Sequence, residues 1–344
     1  MYNPLVSIIL PVRNESAYLE HGLLAILQQD YPSNSLEILI TDGMSTDNTR
    51  IIIHNISVFH PNATIQILDN PGKIVPMGMN IALCRARGEI IIRVDGHTII
   101  ASDYVRQCVD GLQRTHADNV GGRMNAIGAS PFGKAVALAT SSPFGIGGGR
   151  FHYSDKEEWV DTVYMGAWPR RVFEKIGMFD EELVRDQDDE FNYRLRENGG
   201  RILLCPKIKS EYTVRSTPKA LWKQYYQYGF WKVRVLQKHP HQMSLRQFVP
   251  PAFVLALLVS ILVAFFSVLR PVATIIPLLY ILANLLASLY SASQRGWEYL
   301  FPLPIIYAIL HVSYGCGFLV GLIKFSGRWG DRTGKVPLFH LSLK

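Results

Sequence analysis

The chain has 344 residues, 48% of them hydrophobic and 18% charged, with a net charge of +7 at neutral pH. That is more chain than one minimal domain needs and fewer charges than the ~25% of an ordinary soluble domain. The positive charge comes without zinc-finger spacing, an RNP-like motif or a long basic arm, so nucleic acid is not an expected partner; the four cysteines form no CxxC pair, so a reducing compartment is expected rather than a disulfide or zinc framework.

The start, MYNPLVSIILPVRNES, lacks a basic n-region and a long apolar h-region. No signal peptide is expected, and the bulk of the chain is placed in the cytoplasm. LVSIILPV (5–12) reads as a buried strand closed by Pro11, and 16–30 carry apolar residues at helical spacing. LEILITDG (36–43) is a second buried strand, ending at Asp42. STDNTRIIIHNISVF opens with capping chemistry and continues as a helix; TIQILDNP (64–71) is a third strand, and 74–88 a helix. IIIRVDGHTII (90–100) begins with a fourth strand, which delivers Asp95 and His97 to its end. Strand and helix alternate four times, which predicts an α/β fold with a mostly parallel sheet wound with helices. Ligands of such sheets bind beyond the C-terminal strand ends. That singles out Pro11–Glu15, Asp42–Asp47, Asn70–Lys73 and Asp95–His97. Taken alone, Asp95 beside His97 fits a metal site, an acid–base pair or an ordinary turn.

Residues 120–215 are less regular: two Gly-rich stretches, a strongly helical segment over 170–202 ended by Gly199-Gly200, and a strand at RILLCP. From Thr217 to His239 the sequence reads as a helix with one aromatic-apolar face, Trp222, Tyr225, Tyr226, Phe230, Val233 and Leu236. Lys219, Lys223, Lys232, Arg234 and Lys238 make it basic. An in-plane helix on anionic membrane lipids is expected, with a core-facing helix as the alternative. Three apolar stretches follow, at about 248–269, 271–290 and 302–323, each near the ~20 residues that cross a bilayer. Between Glu211 and Glu298 there is not one Asp or Glu. Three crossings would put a basic tail holding Lys324, Arg328, Arg332 and Lys335 on the far side, against the positive-inside tendency, so a re-entrant or interfacial span is the alternative to three crossings.

Four motifs stand in order along 4–240: VSIILPVRNES, ILITDGMSTDNT in a D-G-x-S-x-D-x-T pattern, RVDGH, and DQDDEFNYRLRENGGRI. With them the chain resembles a family 2 inverting glycosyltransferase, and more narrowly the membrane-attached glycosyltransferases of bacterial exopolysaccharide assembly, the succinoglycan type. The resemblance implies a GT-A fold: a Rossmann-like, mostly parallel sheet, here followed by the interfacial helix and C-terminal transmembrane helices. The expected division is a cytoplasmic catalytic domain over 1–215, the amphipathic helix over 216–246, a transmembrane region over 247–325 and a basic tail over 326–344.

The resemblance also implies a nucleoside-diphosphate sugar donor with Mn²⁺ or Mg²⁺. Asp95 lies near ribose and metal, and His97 takes the metal-contact position where the family has a second Asp. Imidazole brings no charge there, so weaker and more pH-dependent metal binding is expected. Asp42 accepts a base N–H, and Glu15 resembles the family's base- or ribose-contacting acid. Asp47 is a donor candidate or simply a helix-capping residue. Pro11 shapes its loop, while Arg13 and Lys73 are phosphate candidates. Gln187-Asp188 aligns on the family's Glu-Asp pair, which makes Asp188 the general base; a one-residue slip would make it Asp189. On the acceptor side stand Trp168, as a sugar platform or as core, and Gln227 and Trp231 of QYGFWK. Phe230 stands there where processive synthases have Arg.

The expected function is inverting transfer of one sugar, UDP-linked, to a lipid-linked saccharide acceptor at the cytoplasmic face of a bacterial inner membrane. The product would serve extracellular polysaccharide, with other assembly proteins as partners. A processive synthase, a polyprenyl-phosphate glycosyltransferase and a non-catalytic membrane scaffold are the alternatives.

Overall fold

A computed structural model describes residues 3–339. The chain groups into two units. One comprises the described residues up to Asn125, Tyr153–Tyr212 and those from Thr333 onward; the other comprises Ala126–His152 and Thr213–Arg332.

The first unit is α/β. In chain order it has β1 (Val6–Val12), α1 (Leu19–Leu27), β2 (Leu36–Asp42), α2 (Thr49–Phe59), β3 (Thr64–Asp69), α3 (Val75–Arg85), β4 (Ile90–Arg93), β5 (Thr98–Ile100), α4 (Tyr104–Thr115) and β6 (Asn119–Ile127). In the second unit come α5 (Pro131–Thr140) and α6 (Pro143–Ile146). The first resumes with β7 (Glu158–Val160), β8 (Tyr164–Pro169), α7 (Arg171–Ile176), α8 (Gln187–Glu197) and β9 (Ile202–Thr213). The sheet order is β3-β2-β1-β4-β8-β6-β9-β5, with β7 beside β9. β1 to β4 pair in parallel, and β8 joins β4 antiparallel. VSIILPV and LEILITD are buried at every position, as expected where helices cover both faces of a parallel sheet. Glu37 lies inside this buried pair, and Ser7 Oγ, Arg87 N and Arg87 Nε all donate to its carboxylate.

The segment read as one helix over 170–202 is two helices. Gly177 has φ +80° and ψ −177°, a backbone open to glycine, and after donating its N–H to Phe173 O it turns the chain out of α7. Met178 N then donates to Pro337 O, and Glu181 N to Lys335 O. The break is thus stabilised by the far end of the chain, which no local pattern reveals.

The second unit is helical: α5 and α6, then α9 (Pro218–Lys238), α10 (Val249–Val263), α11 (Arg270–Arg295) and α12 (Pro302–Lys324). Three stretches, Leu245–Val263, Ser267–Arg295 and Pro302–Lys324, are long and apolar enough to cross a membrane. α9 differs from the expected surface helix. Lys232, Arg234 and Lys238 are buried, Arg234 completely, and its guanidinium donates to the carboxylate and carbonyl of Asp331. The basic residues of its C-terminal half therefore serve packing within the unit rather than a lipid-facing charge stripe. The division along the chain also differs from the one read in the sequence: 126–152 joins the helical unit, and the tail from Thr333 joins the α/β unit.

Candidate active site

Each parallel strand ends on the same edge of the sheet. The pairings Val12↔Asp42, Asp42↔Asp69 and Ile9↔Arg93 bring the loops after β1, β2, β3 and β4 together.

The first two loops are stapled to each other. Asn14 N donates to Ser45 Oγ (2.9 Å), Thr46 N to Asn14 Oδ1 (2.9 Å) and Glu15 N to Thr49 Oγ1 (2.9 Å). Asp47 closes the set: Ser16 N reaches one carboxylate oxygen, while Thr49 N and Oγ1 reach the other. Burial pushes the Asp47 carboxyl up, but these hydrogen bonds outweigh it and hold the group far below the usual range. Both Asp47 oxygens thus accept from the two loops, one residue ahead of Asn48, the N-terminal cap position of α2. Asp42 is completely buried at the end of β2 and accepts from Ser45 N, with Arg50 Nε at 3.6 Å. Pro11 is buried in β1 opposite Thr41. The Arg13 side chain lies against Gly43 and donates to Lys73 O at 3.3 Å. Lys73 itself adopts φ +61° in the loop after β3. The two phosphate candidates are neighbours.

The loop after β4 joins the densest set of charged partners. Arg93 Nε donates to Asp95 Oδ1 at 2.8 Å, and Arg93 Nη1 pairs with Asp188 Oδ1 from the start of α8. Tyr164 of β8 donates its O–H to Asp95 Oδ2 at 3.3 Å. Burial pushes Asp95 up, but Arg93 and His97 oppose it and keep the carboxyl below its usual range. Asp188 goes the other way. Burial, only partly offset by Arg93, and repulsion from Asp95 and Asp189 push it up to about 6. Its side chain keeps 31% of its surface open, so a proton can reach it. Asp189 is held differently, accepting from Thr162 Oγ1 at 3.1 Å. His97 Nδ1 lies 3.3 Å from Glu15 Oε1, and its ring packs edge-on against Tyr212 at 5.3 Å.

No group of three or more His, Cys, Asp or Glu able to hold a metal occurs among the described residues. Asp95 and His97 offer an ionised carboxylate and an imidazole at one strand end. That set fits the binding mode in which a protein gives one or two ligands and a substrate's phosphates and waters give the rest.

Trp168 is not a sugar platform. It is 2% exposed, with its ring packed against Phe173, Phe179 and Phe191 at 5.6–5.9 Å, so the faces a sugar needs are covered. Gln227 and Trp231 lie on α9 in the helical unit, where Trp231 packs on Phe230 and Phe325. Arg93, Tyr164 and Tyr212 were not singled out by the sequence reading. The available signal was an Arg inside the buried run IIIRV, two residues before Asp95 and hence on the same strand face.

Residues 7–177 match the family model described as glycosyl transferase family 2. The chain is 31% identical over 247 residues to the succinoglycan biosynthesis protein ExoA of Rhizobium meliloti, covering 71% of this chain and 74% of that protein. It is 28% identical over 325 residues to a dolichyl N-acetyl-alpha-D-glucosaminyl phosphate 3-beta-D-2,3-diacetamido-2,3-dideoxy-beta-D-glucuronosyltransferase of Methanococcus voltae, covering 93% of this chain and 97% of that one. Its fold is similar to that of the mannosyltransferase PcManGT of Pyrobaculum calidifontis, solved with GDP-Man and Mn²⁺. That match has a TM-score of 0.62 at 18% identity and covers 93% of this chain and 88% of that one.

Proposed function

We propose a function from one premise: this chain belongs to glycosyl transferase family 2, an inverting family with the GT-A fold. It acts on a nucleotide sugar. In our reading the donor is UDP-linked, and one sugar passes to a lipid-linked saccharide at the cytoplasmic face of a bacterial inner membrane. The product feeds extracellular polysaccharide, beside other proteins of that assembly.

The observation that carries this reading is the cluster Arg93–Asp95–Asp188 at the C-terminal strand ends. One carboxylate is ionised and the other is raised to about 6, the separation expected of two acids with different tasks. Asp42 receives the base N–H once Ser45 and the half-exposed Arg50 side chain open over it, with Glu15 toward the ribose. Arg13 and Lys73 face the diphosphate. Asp95 and His97 would hold a divalent cation, Mn²⁺ or Mg²⁺. When bound, the cation neutralises charge that builds on the leaving group. Asp188 takes the proton of the acceptor hydroxyl as its oxygen attacks the anomeric carbon. The bond to the diphosphate breaks on the opposite face, and configuration inverts. Arg93 holds the Asp188 carboxylate in place.

A lipid-linked acceptor is supported by the three long apolar helices. It is supported as well by the Methanococcus voltae relative, whose name describes a dolichyl-phosphate-linked sugar as acceptor and which this chain matches along nearly its whole length. The loss of the synthase Arg at Phe230 favours one sugar over a polymer. Mass analysis of the lipid product, with proton NMR of its anomeric position, tests this: a single added sugar of inverted configuration is expected, and a ladder of lengths contradicts it.

A further inference from the structure

The described tail belongs to the α/β unit. Lys335 N donates to the Asp180 carboxylate at 2.8 Å, and Asp180 is completely buried. Glu181 N donates to Lys335 O at 2.9 Å, and Met178 N to Pro337 O at 3.0 Å. The Phe339 ring lies 6.1 Å from that of Phe173 and 5.0 Å from the Arg170 guanidinium. The chain thus leaves the α/β unit after Tyr212 and is bonded back into it from Thr333. Whatever the apolar helices do between these points, an odd number of crossings would put the tail on the wrong side of a bilayer.

α9 and α12 identify the helix that does not cross. They run parallel, with backbones in contact: a Cβ at Gly229 would strike Tyr314 O, one at Gly317 would strike Tyr226 O, and one at Gly321 would meet Phe230 O. Farther along, Gln237 Nε2 donates to Phe325 O at 2.8 Å. α12 is also packed on α10 and α11, where a Cβ at Gly315 would meet Pro250 O and Asn284 Nδ2 donates to Pro304 O, so what sets it apart is the direction and the charge of its α9 partner. If α9 and α12 both crossed they would do so in the same sense, and α12 would deliver the tail to the far side. α9 also carries five Lys or Arg, each costing roughly 2.5–3.5 kcal/mol at the centre of a bilayer. Half of the α12 span is buried inside the protein, against 17% for each of the other two. α10 is apolar nearly all round, α11 buries Asn284, Ser288 and Ser291 and exposes its Leu and Ile residues, and the turn between them exposes Phe265, Phe266 and Val268 by 79%, 65% and 86%.

We infer that α10 and α11 enter the bilayer as one hairpin and return, while α12 stays with α9 on the side of the catalytic unit. The partner of the exposed hairpin surface is lipid hydrocarbon, with Arg270 beside the turn extending its charged head to the polar boundary. The basic tail then agrees with the positive-inside tendency. The inference rests on the membrane reading and is independent of the sugar chemistry.

Epitope tags at both ends of the full chain, probed with antibody in spheroplasts stripped of the outer membrane and again after permeabilisation, test it. Both tags should be shielded until the inner membrane is opened and then reached together. A C-terminal tag reached in sealed spheroplasts while the N-terminal tag stays shielded would establish three crossings and overturn the inference. A fluorophore on Ser267→Cys, in a Cys84→Ser background and brominated-lipid bilayers, should be quenched several-fold more than one on Asn34→Cys. Equal quenching would overturn insertion of the hairpin, and neither readout depends on activity.

Discussion

At the residue scale, two carboxylates near one guanidinium acquire opposite characters. Asp188→Asn keeps the shape but cannot accept a proton. It should lower turnover by about 10²–10⁴-fold, the usual range for a positioned base, with donor affinity preserved in a direct binding measurement. Because Asp188 titrates at about 6 and the base works ionised, kcat/KM should fall tenfold per pH unit below that value and level off above it. The stability linkage has the opposite sign. The folded pKa lies above the ordinary 3.8, so between the two values the fold holds a proton that the unfolded chain has released. Stability therefore declines as pH rises through that window, and denaturation of Asp188→Asn should lack this decline.

Arg93 is 5% exposed and pairs with both acids. Arg93→Met leaves two carboxylates without their cation and should cost about 3–5 kcal/mol in denaturant unfolding, the usual range for breaking a buried pair. His97→Ala should raise the Mn²⁺ concentration for half-maximal activity; an unchanged requirement would remove His97 from the cation site. The strand ends and their acids were legible in the sequence because apolar runs followed by Asp mark where parallel strands stop. The role of Arg93 was not, since its partner Asp188 lies 95 residues away. Trp168 was equally ambiguous, because only its neighbours Phe173, Phe179 and Phe191 decide between core and sugar platform.

At the element scale, the alternating strands and helices up to β4 were readable because each carries its own period. Two elements were not. The helix expected over 170–202 breaks at Gly177, where the tail supplies backbone partners. α9 reads as a basic surface helix by composition, yet its glycine packs on α12. Sequence periodicity gives the faces of a helix but not what covers them. Gly229→Ala tests that contact. The added methyl meets the Tyr314 carbonyl, so despite the ~1 kcal/mol helix preference for Ala the variant should lower the unfolding midpoint in detergent, by an overpacking cost of about 1–3 kcal/mol. A raised midpoint would mean that the helices are not in backbone contact.

At the scale of the whole molecule, an α/β unit with acids at its strand ends is joined to helices apolar enough to enter a membrane, the combination suited to joining a soluble nucleotide sugar to a lipid-borne acceptor. The most direct test is nucleoside diphosphate release by the detergent-purified protein. It would be offered a panel of donors with Mn²⁺ and native lipid extract, beside Asp188→Asn and a chelated control. Release with one donor, dependent on lipid and cation and lost in the variant, is expected. No release with any donor, together with no donor binding, would contradict catalysis and leave a membrane scaffold with a remnant site.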